Sequence, residues 1–347
     1  MMEKKVAFDL SQLDWEAWVI ANGYPKFRAS QIYSWFIKGV QDTARMQNIP
    51  APIRAKIDES FHVMCLNLQN TMISAKDQTQ KFAFTLWDGH MIETVLMKYK
   101  TGYSLCISSQ AGCRMGCNFC ASAHAGFGRN LTAGEMLAQI LVVSDIISDK
   151  IRSVVVMGIG EPFDNYDELI AFLMAANAPE GLNLGARHIT VSTCGLVPQM
   201  LKFMCIDLQV NLSVSLHASN DEQRRLLMPI ANTYDMESLL MACKKYTDET
   251  NRRITFEYSL FDGVNDSVQD ARNLAARLRG IHCHINLIAA NEFDGSPYKR
   301  SKSLHVQQFK QTLEDLGMIV TLRREMGTDI MAACGQLRRK MQESGKS

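Results

Sequence analysis

The chain has 347 residues, and its 37 lysines and arginines nearly balance 36 aspartates and glutamates, for a formal charge of +1. No overall field draws it to nucleic acid or to an anionic membrane, so any RNA contact must be local. The length suits one large domain with an appendage, or two ordinary domains, with a core that needs no disulfide staples.

Met1 to Leu10 lacks the apolar stretch of a secretory signal, and no apolar run approaches a membrane span, so a cytoplasmic protein with no membrane association is expected. Short amphipathic helices follow, one carrying Leu13, Trp15, Trp18 and Val19, the next Ile32, Trp35 and Phe36. Phe82–Leu86 and Met91–Val95 flank Asp88-Gly89, a pair suited to the positive backbone angles of a hairpin turn. From about residue 103 apolar β-rich runs alternate with helical stretches, the pattern of β/α units around a parallel sheet. Strands are expected at Tyr103–Ser108, Ser153–Met157, His188–Ser192, Val210–Leu216, Ile254–Leu260 and His284–Ile288, with a last candidate at Met318–Leu322. Helices are expected at Ala133–Ile147, Met236–Tyr246, Ser267–Leu278 and Val306–Leu316.

The expected fold class is therefore α/β: a partial, TIM-like (β/α)6 barrel with a small N-terminal helical domain and a β-hairpin extension. The divisions fall at 1–68 for the helical accessory domain, 69–102 for the hairpin region, 103–325 for the β/α core and 326–347 for a C-terminal segment. Functional residues should gather at the C-terminal ends of the barrel strands.

Ten cysteines are many for a reducing compartment, where a cluster of thiols points to metal binding or catalysis. Cys106, Cys113, Cys117 and Cys120 crowd one segment, whereas the others are scattered and read mostly as small buried hydrophobes. Cys113, Cys117 and Cys120 have C-x3-C-x2-C spacing on a glycine-bearing loop after the first barrel strand, ahead of a helix marked by the Thr132/Glu135 capping box. Iron–sulfur clusters ordinarily take four thiolates, so three leave one iron open to substrate. Zinc completed by His124 is the alternative that spacing alone leaves standing.

Met157-Gly158-Ile159-Gly160-Glu161-Pro162 follows the second barrel strand, with glycines that admit a ligand and a carboxylate that can accept from an ammonium group. It is no dinucleotide fingerprint, because Phe163 replaces the third glycine. Ser192-Thr193-Cys194-Gly195 and Ser213 to Ala218, through Ser215, Leu216 and His217, put polar groups at two more strand ends. Singly these read as turn residues; jointly they suggest a cofactor site. Ala332-Ala333-Cys334-Gly335-Gln336-Leu337 sets a thiol among small residues, and Cys106 offers a second thiol near the cysteine loop, so a transient disulfide is available.

Ser108-Ser109-Gln110, the cysteine loop, Gly126 to Thr132, Met157 to Pro162, Ser215-Leu216-His217 and Ala332 to Leu337 together closely resemble the RlmN/Cfr family of radical-SAM RNA methyltransferases. The likeness spans nearly the whole chain, since Phe27 to Ile32 looks like that family's N-terminal helical domain. It implies one 4Fe–4S cluster on Cys113, Cys117 and Cys120, with S-adenosylmethionine on the open iron. By the same resemblance Gly160, Glu161, Ser192, Ser215, Leu216, His217 and Asn291 contact that cofactor. It further implies that one S-adenosylmethionine methylates Cys334, and that a second is cleaved to a 5′-deoxyadenosyl radical that abstracts hydrogen from the new methyl group. The carbon radical adds to adenine, Cys106 releases the product by forming a disulfide with Cys334, and Glu93 accepts the proton. Thiol–disulfide exchange accounts for the release.

The implied substrate is one adenine in the peptidyl-transferase region of 23S ribosomal RNA, at C2 or C8, with tRNA also used by some C2 enzymes. An electron donor such as flavodoxin or ferredoxin and a monomeric state are expected. Met97-Lys98-Tyr99-Lys100 looks more like the C8 branch, whereas Gly126-Phe127 and Gly295-Ser296-Pro297-Tyr298 look more like the C2 branch. Ala121-Ser122-Ala123-His124 and Glu292 depart from the family pattern. The same radical chemistry on another RNA or a small molecule, and a zinc-stabilised RNA-binding protein without catalysis, are the rival readings. Lys98, Lys100, Lys299, Arg300, Lys302 and Arg338-Arg339-Lys340 are local cations suited to phosphate contacts.

Overall fold

The computed structural model describes residues 4–291, 296–333 and 335–337. Cys334, Glu292, Gly295 and Arg338-Arg339-Lys340 lie outside the described residues.

The N-terminal helices form where the aromatic spacing places them. Gln12–Ala21 begins at Ser11, which exchanges capping bonds with Asp14. Its Trp15 is fully buried and stacks on Phe36 of helix Arg28–Phe36, with ring centroids 5.3 Å apart. A third helix, Ala51–Ser60, has proline in its first turn, where a missing N–H leaves no bond unmade. Lys5–Val6 pairs with Phe61–His62 and closes the unit. The unit docks on helix Ala133–Ile147: Asp9 accepts from the Gly134 N–H at 2.7 Å, and Arg45 pairs with Asp145 at 2.8 Å. A Cβ on Gly134 would lie 2.4 Å from the Asp9 nitrogen, so this approach requires glycine.

The main sheet contains β1 (Leu66–Ile73), β2 (Gln80–Leu86), β3 (Met91–Tyr99), β4 (Gly102–Ile107), β5 (Ile151–Val156), β6 (Ile189–Thr193), β7 (Asn211–Ser215), β8 (Ile254–Leu260), β9 (Cys283–Ala289) and β10 (Val320–Leu322). They lie side by side in chain order. From β4 to β10 neighbours are parallel, whereas β1 to β4 are antiparallel. The apolar runs read as strands are thus the ones buried inside a parallel array. The six expected β/α repeats are extended by a short seventh parallel strand, β10, whose neighbour Arg323 donates to the Leu287 carbonyl at 2.8 Å. Helices follow strands β4 to β9, and their packing is aromatic in places, as where Tyr258 of β8 meets Phe309 of helix Ser303–Asp315 at 5.1 Å.

The Asp88-Gly89 hairpin is β2–β3, closed by the Leu86 N–H on the His90 carbonyl at 2.7 Å, with Gly89 at φ +85°. Strand β1 adds an outer edge across position 68; only its first residue is buried, so no apolar alternation marked it. The C-terminal segment returns to the hairpin side, where Met326, Ile330, Ala332 and Leu337 pack with Val95, Met97, Cys106 and Ile159 as a small apolar cluster beside the main core.

Candidate active site at the cysteine loop

Beyond β4 the chain forms a short ribbon, Gln110–Gly112 paired antiparallel with Phe127–Asn130, from which the three cysteines project. Gly112 at φ +93° makes the ribbon possible, because a Cβ there would lie 1.9 Å from the Gly126 carbonyl oxygen. Gln110, fully buried, donates to Asn130 at 2.9 Å and Asp164 at 2.7 Å and accepts from the Glu161 N–H at 2.8 Å. Asn118 donates through its backbone to the Leu227 carbonyl at 3.0 Å and through its side chain to the Leu226 carbonyl at 2.7 Å, which clamps the loop to helix Asp221–Leu227. At the base, Arg129 forks onto the buried Glu135 at 2.7 and 2.8 Å and also pairs with Asp88 of the hairpin turn. Glu135 additionally accepts from the Trp87 indole at 3.1 Å. The capping box at Thr132 and Glu135 forms as its spacing predicts.

Cys113, Cys117 and Cys120 border one cavity at the C-terminal ends of the barrel strands. Gly160, Glu161, Ser192, Ser215, His217 and Asn291 line it too. Leu216 is buried behind it, its N–H on the Glu257 carbonyl at 3.0 Å. Glu161 is buried, and its two oxygens accept from the Phe163 N–H at 2.9 Å and the Cys194 N–H at 2.7 Å. Burial pushes its carboxyl above the usual range while those bonds oppose the shift. Gly160, at φ +110°, lies so close to Gln110 that a Cβ would fall 2.6 Å from the glutamine Cβ. His217 has a left-handed backbone at φ +54°, its carbonyl accepts from Asn265 at 2.7 Å, and its Nδ1 accepts from the Ser259 N–H at 2.9 Å. The ring hydrogen therefore sits on Nε2, and burial, aided by the Arg224 charge, holds the imidazole pKa down at about 3.

The donor set fits an iron–sulfur cluster better than zinc. Burial pushes the Cys113 thiol up to about 12 and raises Cys117 as well, so thiolates here need a bound cation. A single zinc would draw its ligand atoms together, yet among the described residues the one set of three or more potential ligands within 4.8 Å is Asp262, Asp266 and His305. His124 is exposed, with Nε2 3.1 Å from the Asn118 carbonyl, and does not line the cavity.

Cys106 lies on β4 between Val95 and Val155 and borders a second cavity with Ala332 and Ala333. Met157, Ile288, Asn291 and Arg323 line both cavities. Glu93 on β3 pairs with Lys81 at 3.2 Å, and Lys81 also donates to the Met331 carbonyl at 3.2 Å. Gly335 lines the first cavity, and its carbonyl accepts from the Ala121 N–H at 2.8 Å.

Sequence reasoning missed the buried polar groups under the site. Glu257 on β8 lines the first cavity and accepts from Ser213 at 2.8 Å and Asn286 at 2.8 Å, with Arg323 3.9 Å away. A lone acid inside an apolar strand, at Phe256-Glu257-Tyr258, was the available signal. Arg224, completely buried, donates to the Cys194 carbonyl at 2.7 Å and the Tyr234 carbonyl at 3.3 Å.

A parallel β/α array with a three-cysteine loop over its strand ends defines a radical SAM enzyme, and residues 107–275 match the model of the Radical SAM superfamily. Residues 7–63 match that of the ribosomal RNA large subunit methyltransferase N-terminal domain. The chain is 51% identical over 322 residues to a probable dual-specificity RNA methyltransferase RlmN of Clostridium botulinum, covering 93% of each protein. It is 48% identical to the protein so described in Clostridium beijerinckii, over 97% of this chain and 95% of the relative. The crystal structure of a radical SAM methyltransferase from Sphaerobacter thermophilus superposes with a TM-score of 0.93 at 40% identity, covering 97% of this chain and all of that one. The chain belongs to the RlmN family of radical SAM RNA methyltransferases. The family carries a 4Fe–4S cluster and uses S-adenosylmethionine. No helix among the described residues is long and apolar enough to cross a membrane.

Proposed function

We propose that this chain methylates a ring carbon of adenine in 23S ribosomal RNA and in tRNA, through a methyl group carried on Cys334. The description of its relatives as dual-specificity RNA methyltransferases favours C2 as the target atom. It works in the cytoplasm as a monomer, with electrons from a flavodoxin or ferredoxin.

One observation carries this reading. The residues on either side of position 334 line different cavities: Ala333 faces the one that holds Cys106, and Gly335 faces the one bordered by Cys113, Cys117 and Cys120. The described chain thus borders the thiol side just before position 334 and the cofactor side just after it.

Cys113, Cys117 and Cys120 hold the cluster. When bound, it supplies the electron that splits S-adenosylmethionine and so provides the hydrogen-abstracting radical. Gly160 would keep the cavity wall low enough for the cofactor, and Ser192, Ser215 and Asn291 would meet it from the strand ends, with Leu216 packed behind them. His217 offers Nε2–H as a donor, and Glu161 offers its remaining lone pairs to the ammonium group. Glu93, paired with Lys81 on the hairpin, would take the ring proton as the adduct radical gives one electron back to the cluster. The Cys106 thiolate would then bond to the sulfur of Cys334, and the electron pair of the breaking carbon–sulfur bond would pass to the methylene carbon, which takes a proton to leave the methyl group on the base.

The test is mass spectrometry of nucleosides from cells with and without the gene. We expect 2-methyladenosine in 23S ribosomal RNA and tRNA to depend on it; gain of 8-methyladenosine instead would move the target atom, and no change in either would overturn the proposal.

A further inference from the structure

Arg224 is a buried cation with no carboxylate in ion-pair contact among the described residues. Its side chain has no accessible surface, and among the described residues its Nε has no hydrogen-bond partner and its two terminal nitrogens reach only the carbonyls of Cys194 and Tyr234. Among the described residues no ion pair within 4.0 Å includes it. The nearby Asp221 spends an oxygen on the Met236 N–H at 2.7 Å. An unanswered guanidinium inside a protein is costly, and a fold keeps one where an anion completes it.

Its position says which anion. Arg224 belongs to helix Asp221–Leu227, the same helix whose last carbonyls hold Asn118 between Cys117 and Cys120. The carbonyl it grips belongs to Cys194, which borders the cavity beside Cys117. Burial, the neighbouring cysteines and the buried Glu161 disfavour the Cys117 thiolate, and the Arg224 charge favours it. Three thiolates around an iron–sulfur core make an anionic group, and each added electron makes it more so.

Resting on the assignment of Cys113, Cys117 and Cys120 to the cluster, we infer that Arg224 is a positioning residue for the redox state: a fixed countercharge that favours the reduced cluster. Charge and hydrogen bonding around a metal centre set its potential, and a cation held in a dry site acts more strongly than one in water.

The experiment is an EPR-monitored reductive titration of the anaerobically reconstituted full chain, without S-adenosylmethionine, for the native protein, Arg224→Gln and Arg224→Lys. Glutamine retains a donor for the carbonyls but no charge; lysine retains the charge. At a fixed potential the ratio of reduced to oxidised cluster should fall about tenfold in Arg224→Gln, about 59 mV for one electron, and stay within about twofold in Arg224→Lys. An unchanged ratio in Arg224→Gln overturns the inference, and so does an equal shift in both variants, which would assign the effect to the hydrogen bonds. Should Arg224→Gln not fold, Arg224→Met gives the uncharged arm. A native chain that takes up no iron would instead defeat the cluster assignment itself.

Discussion

The cysteine loop and the C-terminal segment meet at the same cavity but are held in opposite ways. The loop is fastened at its root by buried polar side chains, Gln110 and the Arg129–Glu135 fork, and at its tip by Asn118. The segment from Met326 to Leu337 rests on a small apolar cluster and a few edge contacts. Asp329 accepts from Ser74 at 2.7 Å and the Ala75 N–H at 3.0 Å, Asp77 accepts from the Gly327 N–H at 2.9 Å, and Ser122 donates to the Leu337 carbonyl at 2.8 Å. Buried, densely bonded structure opens rarely, whereas sparse surface bonds open often. The difference suits the proposed roles, a cluster held by the loop and a methyl group carried on the C-terminal segment.

The widest separation of the two regions comes from their cysteines. Cys117→Ala should abolish iron binding and methylation together. Cys106→Ala should keep its iron yet stop turnover, leaving a protein–RNA adduct through Cys334 that survives denaturing electrophoresis; turnover without an adduct would sink the two-cysteine scheme. Next in size, Arg129→Met leaves Glu135 charged and buried without its partner, a loss of about 3 kcal/mol in chemical denaturation with reduced iron content. Asp329→Ala should act on the other region alone: a severalfold drop in methylation with full iron content and little change in melting temperature. Equal iron loss in Asp329→Ala and Arg129→Met would erase the contrast. The smallest effect is one of pH. Burial pushes the Asp88 carboxyl up, but the bonds from Arg129 and His90 outweigh it and bring the pKa from 3.8 down to about 2. Its stabilisation is present above pH 4 and lost as pH falls towards 2, so the native chain and Asp88→Asn should converge in unfolding free energy over that window.

The strands of the barrel were legible because a strand buried between helices must be apolar on both faces, as Ile254 to Leu260 is apart from Glu257 and the small polar residues. The cysteine loop was legible because ligand spacing is local. Strand β1 was not, since seven of its eight residues are exposed and its place depends on pairing with β2. The ribbon Gln110–Gly112 with Phe127–Asn130 was equally hidden: its strands are short and their pairing carries a register shift. Motif resemblance pointed to Gly126 to Thr132 without a reason; the reason is Arg129, which ties hairpin turn, ribbon and helix start into one charge network. Arg224 and Glu257 could not be weighed from sequence, because the importance of a buried charge lies in which groups surround it in space.

The clasp between Asp329 and Ser74 spans 255 residues of sequence. Contacts so remote are late to form, since loop closure must be met before they stabilise anything. During synthesis the cysteine loop and strands β4 to β9 are complete well before Asp329 exists. Gly335, which borders the cysteine-lined cavity, is therefore among the last parts of the site to be made.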